Sequence, residues 1–124
     1  MNYSTKQRTV VGKVIEDAKR PLTPSEILSK GRKKSLSLGM ATVYRALRFL
    51  IDEGRAVLVE IPGEPPRYES SGRGHHHHFV CNSCRKVFDL EGCLCHVDAL
   101  APSSFRVESH EIILYGSCDH CSGV

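Results

Sequence analysis

The stretch His75-His76-His77-His78-Phe79-Val80-Cys81-Asn82-Ser83-Cys84 places six candidate metal ligands within ten residues. On an extended segment successive side chains point to opposite faces. His75 and His77 then share one face and His76 and His78 the other, so one strand can feed two metal centres. The plainer alternative is a solvated loop of histidines. A second Cys-x-x-Cys, Cys118 to Cys121, lies at the far end of the chain. Two such pairs supply four thiolates, which fill a tetrahedral zinc site and leave no open position, so the site is structural rather than catalytic. The alternatives are two unrelated surface pairs or a redox dithiol.

Working outward, the 124 residues allow one ordinary domain or two small ones. Small halves have small cores, and a metal, a disulfide or a partner subunit is the expected staple. No apolar run approaches the ~20 residues of a membrane span, and no membrane association is expected. The first residues, Met1-Asn2-Tyr3-Ser4-Thr5-Lys6, lack the apolar core of a secretory signal. A cytoplasmic setting follows, in which six cysteines stay reduced and read as metal ligands before disulfides. Residues 1–60 carry 12 Lys/Arg against 6 Asp/Glu, whereas residues 61–124 carry 5 against 8. The front half suits a polyanion and the histidine-rich rear half suits cations.

The front half reads as three helices. Residues 5–19 put Val10, Val11, Val14, Ile15 and Ala18 on one stripe. Arg20-Pro21 ends that helix. Thr23-Pro24-Ser25-Glu26 has the form of a capping box with proline in the first turn; Ile27 and Leu28 follow, and Gly31 ends the segment. Arg32-Lys33-Lys34-Ser35 is a basic connector. Met40 to Glu53 is the third helix, with Val43, Leu47, Leu50 and Ile51 as its core face and Gly54 beyond its end. Thr42, Tyr44, Arg45 and Arg48 are left outward. An arginine there can contact guanine and an aromatic edge a thymine methyl, while Thr42, Arg48, Lys6, Arg8 and Lys13 suit phosphates. The alternative is a solvated Arg45 and a Tyr44 that caps the bundle. Strands over Arg55–Ile61 and Arg67–Glu69, around a proline-rich tip, complete a wing. The predicted organisation is a winged helix-turn-helix over 1–70, a hinge at 71–74, and a small α/β dimerisation domain over 75–124. In that second domain the strands fall at Phe79–Cys81, Lys86–Leu90, Phe105–Ser109 and Glu111–Tyr115, with a short helix from His96 to Ala101 before Pro102. The class is α+β.

The runs Ala41-Thr42-Val43-Tyr44-Arg45-Ala46-Leu47, His75 to His78, Cys81-x-x-Cys84 and Leu114-Tyr115-Gly116-Ser117-Cys118-x-x-Cys121 occur in one order along nearly the whole chain. In this the chain resembles the ferric uptake regulator family. The resemblance implies a homodimeric repressor of metal-homeostasis genes that binds a palindromic double-stranded DNA operator when it carries a regulatory divalent metal. It implies structural zinc on Cys81, Cys84, Cys118 and Cys121, and DNA contacts from Tyr44 and Arg45. It matches Glu69, His76, His78 and Asp89 to the sensory site beside the hinge. His75, His77 and His110 match a second regulatory site. Its fourth ligand is His96 when counted forward from Cys84, or Cys93 when counted back from His110.

Two departures from the family pattern stand out. Pro21 stands where iron- and peroxide-sensing members often have a histidine, and Glu69 and Ser71 stand near a cysteine position of zinc-sensing members. Cys93 and Cys95 are extra cysteines: a soft ligand, a redox pair or small buried residues. Mixed nitrogen and oxygen donors admit Zn2+, Fe2+, Mn2+ and Ni2+, and zinc or iron(II), with manganese as a further candidate, is the expected regulatory metal. Two rivals remain. One is a peroxide sensor using iron or manganese. The other is a zinc hydrolase, for which no His-Glu-x-x-His frame is present; the chain is read as a regulator and not an enzyme.

Overall fold

The computed structural model describes residues 3–92 and 96–122. The chain divides into two compact units, Met1–Arg73 and Gly74–Val124.

The first unit contains α1 (Tyr3–Ala18), α2 (Pro24–Gly31), α3 (Met40–Asp52), β1 (Ala56–Val59) and β2 (Arg67–Ser70). The start of α2 is fixed reciprocally. Glu26 N–H donates to Thr23 Oγ1 at 3.2 Å and Thr23 N–H donates to Glu26 Oε1 at 3.1 Å. Arg20 adds a 2.7 Å ion pair to Glu26. Burial by itself would raise the Glu26 carboxyl, but the Arg20 and Thr23 hydrogen bonds outweigh it and hold the group below its usual value. At the end of α3, Gly54 takes a left-handed φ of 71°, a conformation open to glycine without strain.

On α3 the buried positions are Val43, Ala46, Leu47 and Leu50, the i, i+3, i+4, i+7 stripe of a helix. They meet Val11 and Ile15 of α1, Leu22 and Ile27 in one core. Fully burying each large side chain stabilises the unit by roughly 1.5–3 kcal/mol. Ile51, expected in the core, is exposed. One residue past Leu50 turns it about 100° round the helix, off the stripe.

β1 and β2 pair antiparallel, from Ala56↔Ser70 to Val59↔Arg67. Only the end residues of β1 are buried, which explains the broken alternation in its sequence. An isolated bridge, Leu22↔Tyr68, ties the turn before α2 to the hairpin through hydrogen bonds of 2.9 and 2.8 Å. At the hairpin's turn Arg67 Nη1 and Glu64 Oε1 form a buried 3.2 Å pair.

The second unit is a three-stranded sheet in the order β4-β3-β5, formed by β3 (His77–Cys81), β4 (Val87–Leu90) and β5 (Ile113–Gly116). β3 pairs antiparallel with β4 and parallel with β5. The helix expected over His96–Ala101 is a single 3-10 turn, Val97–Leu100. Its Ala101 cap is already extended at ψ 149°, as a residue before proline must be. The strand expected at Phe105–Ser109 does not form. Both edges of β3 are taken by β4 and β5, and the 105–109 segment has no ladder partner among the described residues. A strand without a partner leaves its backbone to solvent. No helix among the described residues is long and apolar enough to cross a membrane.

Candidate metal centres

Among the described residues, donors converge at three places, and β3 feeds all of them. At its end the chain makes a tight knuckle, with Arg85 N–H on Cys81 O at 2.9 Å and Arg85 at a left-handed φ of 63°. The parallel pairing of β5 brings the second knuckle alongside, where Cys121 N–H reaches Cys118 O at 3.1 Å. The four sulfurs of Cys81, Cys84, Cys118 and Cys121 lie within 4.8 Å of one another, and Cys84 Sγ is 3.9 Å from Cys118 Sγ. A zinc ion with four sulfurs at ~2.3 Å has tetrahedron edges of about 3.8 Å, so the cluster fits zinc closely. Backbone N–H groups of Cys84 and Cys118 donate to Cys81 Sγ, each at 3.4 Å. They draw its thiol down to about 6. Cys121, hydrogen-bonded to Cys118 and then to Cys81, is pushed up to about 12. Without metal the cluster holds protons unequally; a bound cation would displace them.

The outer face of the strand gathers His76, His78 and Asp89. His78 pairs with Asp89 across β3 and β4. Asp89 Oδ1 lies 3.5 Å from His76 Nε2 and 3.4 Å from His78 Nε2. A tetrahedral ion with ligands at ~2.1 Å has edges of about 3.4 Å, so these donors fit a divalent cation. His76 Nδ1 is 3.0 Å from Gly74 O. A carbonyl only accepts, so Nδ1 carries the proton and Nε2 keeps a lone pair for metal. Glu69, matched by resemblance to this site, lies on β2 opposite Val57 and is buried.

The inner cluster is His75, His77 and His110. His75 Nε2 and His110 Nε2 are 3.1 Å apart. His77 differs from His76 in its proton. Ile112 N–H donates to His77 Nδ1 at 3.0 Å, so in the neutral ring Nε2 carries the hydrogen. Metal at Nε2 would have to displace that proton or turn the ring. Burial, and then the nearby His75 and His110 rings, push the His77 pKa below its usual value.

His96 is exposed at the start of the 3-10 turn and is not in the cluster. Two residues on, Asp98 places Oδ1 3.6 Å from His110 Nδ1. Neither count of spacing pointed to Asp98; the one signal was an acidic residue ahead of Pro102. Cys93, the alternative ligand, and Cys95 lie outside the described residues.

On α3, Tyr44, Arg45 and Arg48 are exposed, and Arg45 Nη2 donates to Thr42 Oγ1 at 3.1 Å. Thr42 thus holds the guanidinium as well as offering a hydroxyl. Lys13 on α1 is paired with Asp17 at 3.3 Å.

A three-helix unit with a hairpin wing, followed in one chain by a sheet whose donors gather three times, belongs to the class of metal-binding winged-helix regulators. Comparison with known sequences narrows the class. The pattern of the ferric uptake regulator family matches residues 3–115, and the chain belongs to that family. It is 29% identical over 123 residues to the ferric uptake regulation protein of Campylobacter jejuni, covering 95% of this chain and 78% of that protein. Among solved structures it is similar to the Helicobacter pylori ferric uptake regulator, described as having three functional metal binding sites. That match has a TM-score of 0.73 and 26% identity, and covers 94% of this chain and 80% of the other. A zinc-bound manganese uptake regulator shares the fold at TM-score 0.78 and 24% identity, covering 91% of this chain and 88% of that one.

Proposed function

We propose that this chain is a metal-dependent repressor whose regulatory cation is held by His76, His78 and Asp89, with Glu69 as a further ligand from the end of the wing. One observation carries the reading: two imidazole nitrogens and a carboxylate oxygen meet at distances suited to one ion. The Gly74 carbonyl supports it by orienting His76 as an acceptor. Zinc and iron(II) suit this donor set, and manganese is a further candidate. The cation supplies charge and a fixed coordination point when bound. Glu69 and His76 flank the short Ser70–Gly74 segment in sequence, so a shared ion would limit how the two units move. An ion that binds the DNA-competent arrangement better than others shifts the population toward it.

The inner cluster, with a proton on His77 Nε2, is the weaker acceptor of a cation and takes a supporting role. Asp98, rather than His96, is its fourth polar group, orienting His110. The four-cysteine cluster holds structural zinc.

A homodimer is part of the same reading. Leu100 on the 3-10 turn and Phe105 are 87% and 69% exposed, and Leu114 and Tyr115 on β5 are exposed as well. So many bare apolar groups in a unit this small call for cover. A second copy would also give the 105–109 segment the ladder partner it lacks. The dimer would read a palindromic duplex with two α3 helices, Tyr44 and Arg45 foremost. The chain acts as a regulator and not a catalyst, in the cytoplasm.

The test is a DNA-binding titration with metal, using a palindromic duplex selected from a random pool. His76→Ala combined with His78→Ala should abolish the metal response and leave the fold intact. Equal binding by the double variant and the parent, with and without metal, would refute the assignment.

A further inference from the structure

The end of α2 and the connector that follows it form the most basic run in the chain, Lys30-Gly31-Arg32-Lys33-Lys34, and nothing above uses it. It is not a loose loop. Ser35 N–H donates to Gly31 O at 2.9 Å and Leu38 N–H to Ser35 O at 3.1 Å. Leu38 is fully buried, and it sits so close to Gly31 that a Cβ there would lie 2.5 Å from Leu38 Cδ2. Arg32 Nε spans the turn to Leu38 O at 2.9 Å. Arg32 is therefore engaged in holding the turn.

Lys30, Lys33 and Lys34 are all exposed. None has an ion pair among the described residues. They line a cleft of about 240 Å3 with Val14, Asp17 and Ala18. The one acidic group there, Asp17, is already 3.3 Å from Lys13. Three like charges lining one cleft make it favourable for an anion. The turn runs on through residues 35–39 to Met40, the first residue of α3, so it adjoins the N-terminal end of that helix in the chain.

We infer that Lys30, Lys33 and Lys34 form a phosphate clamp that grips the DNA backbone flanking the bases read by α3, without regard to sequence. This rests on the DNA-binding reading above. The rigid turn means that little backbone order is lost on binding. A membrane surface fits less well, because only Leu36, 90% exposed, is bare on the turn, and interfacial insertion needs a broader apolar face.

The experiment is a salt titration of the full chain on a random-sequence duplex and on the selected palindrome, for the parent and for Lys30→Gln/Lys33→Gln/Lys34→Gln. Each phosphate neutralised contributes about 0.9 to the slope of log affinity against log salt. The triple variant should lose about 2–3 units of slope per protomer on both duplexes and keep the ratio between them. A control, Lys86→Gln with Arg106→Gln in the second unit, should leave the slope unchanged. Arg45→Ala should instead shrink the preference for the palindrome and spare most of the slope. A triple variant with the parent's slope overturns the clamp while operator binding stands. Preferential capture by anionic phospholipid vesicles over duplex also overturns it. A parent chain that binds neither duplex at any salt takes down the clamp and the DNA reading together.

Discussion

Replacing Asp89 by Asn keeps the shape of the side chain and removes its charge from the one oxygen that faces both His76 and His78, at 3.5 and 3.4 Å. The carboxylate side chain is 4% exposed, so solvent screens its charge poorly and an amide cannot borrow water to replace it. Loss of an outer partner of a metal ligand typically weakens metal binding 10–100-fold. Asp89 is proposed as a direct ligand, so the upper end, about 100-fold or about 2.7 kcal/mol, is the expected loss. The two histidines remain, so the site should weaken and not vanish. By linkage, the metal concentration that half-saturates DNA binding should rise by the same factor. The affinity for DNA at saturating metal should stay close to the parent's. Fluorescence anisotropy of a labelled palindromic duplex, titrated with metal against a chelator buffer, reads both quantities. Circular dichroism and zinc content of the same samples report that the sheet and the four-cysteine cluster are intact. A midpoint displaced less than threefold in a folded Asp89→Asn protein would show that the outer cluster is not the regulatory site.

Cys84→Ser, or stripping with a strong chelator, should unfold the second unit. Structural zinc in small domains supplies on the order of 10 kcal/mol of folding energy, against a buried aliphatic core of little beyond Val80 and Val87 among the described residues of that unit; thermal melts with and without added zinc would measure it. Zinc loading at pH 7.5 should release at least the proton that Cys121 retains up to about 12, and affinity should fall as acid competes for the sulfurs, as calorimetry in buffers of different ionisation enthalpy would show. His77 is harder to protonate folded than unfolded, so the unfolded chain takes up the proton first. Stability of the metal-free second unit should therefore decline as pH drops below about 6.5, and His77→Asn should flatten that decline in denaturant titrations. Leu47→Ala, in the middle of the first unit's core, should destabilise that unit by about 2–5 kcal/mol without changing zinc content.

Much of this was legible in the residues. The caps of α2 and the stripe on α3 are local properties, fixed by spacings of three and four, and the first unit follows from them. The division of the histidines into two faces follows from strand geometry alone, and the structure pairs them as that rule requires. Two kinds of feature lay beyond reach. Gly74 O and Ile112 N–H choose the tautomers of His76 and His77, and backbone groups leave no mark in a sequence. Asp98 and the Phe105–Ser109 segment depend on contacts from elsewhere. The first is brought to His110 by a turn whose spacing follows no count, and the second has no ladder partner among the described residues.

Because the central strand delivers donors to three different pockets, its numbering is a shared calibration. Inserting one residue between His76 and His77 would turn His75 and His76 to opposite faces relative to His77 and His78, which stay paired with β4 and β5, exchanging members of the outer set for those of the inner. An insertion between His78 and Cys81 would rotate the thiolate knuckle away from its mate. Length variation among related chains should therefore collect outside this ten-residue ruler, while inside it only the identity of a side chain, never its position, is open to change.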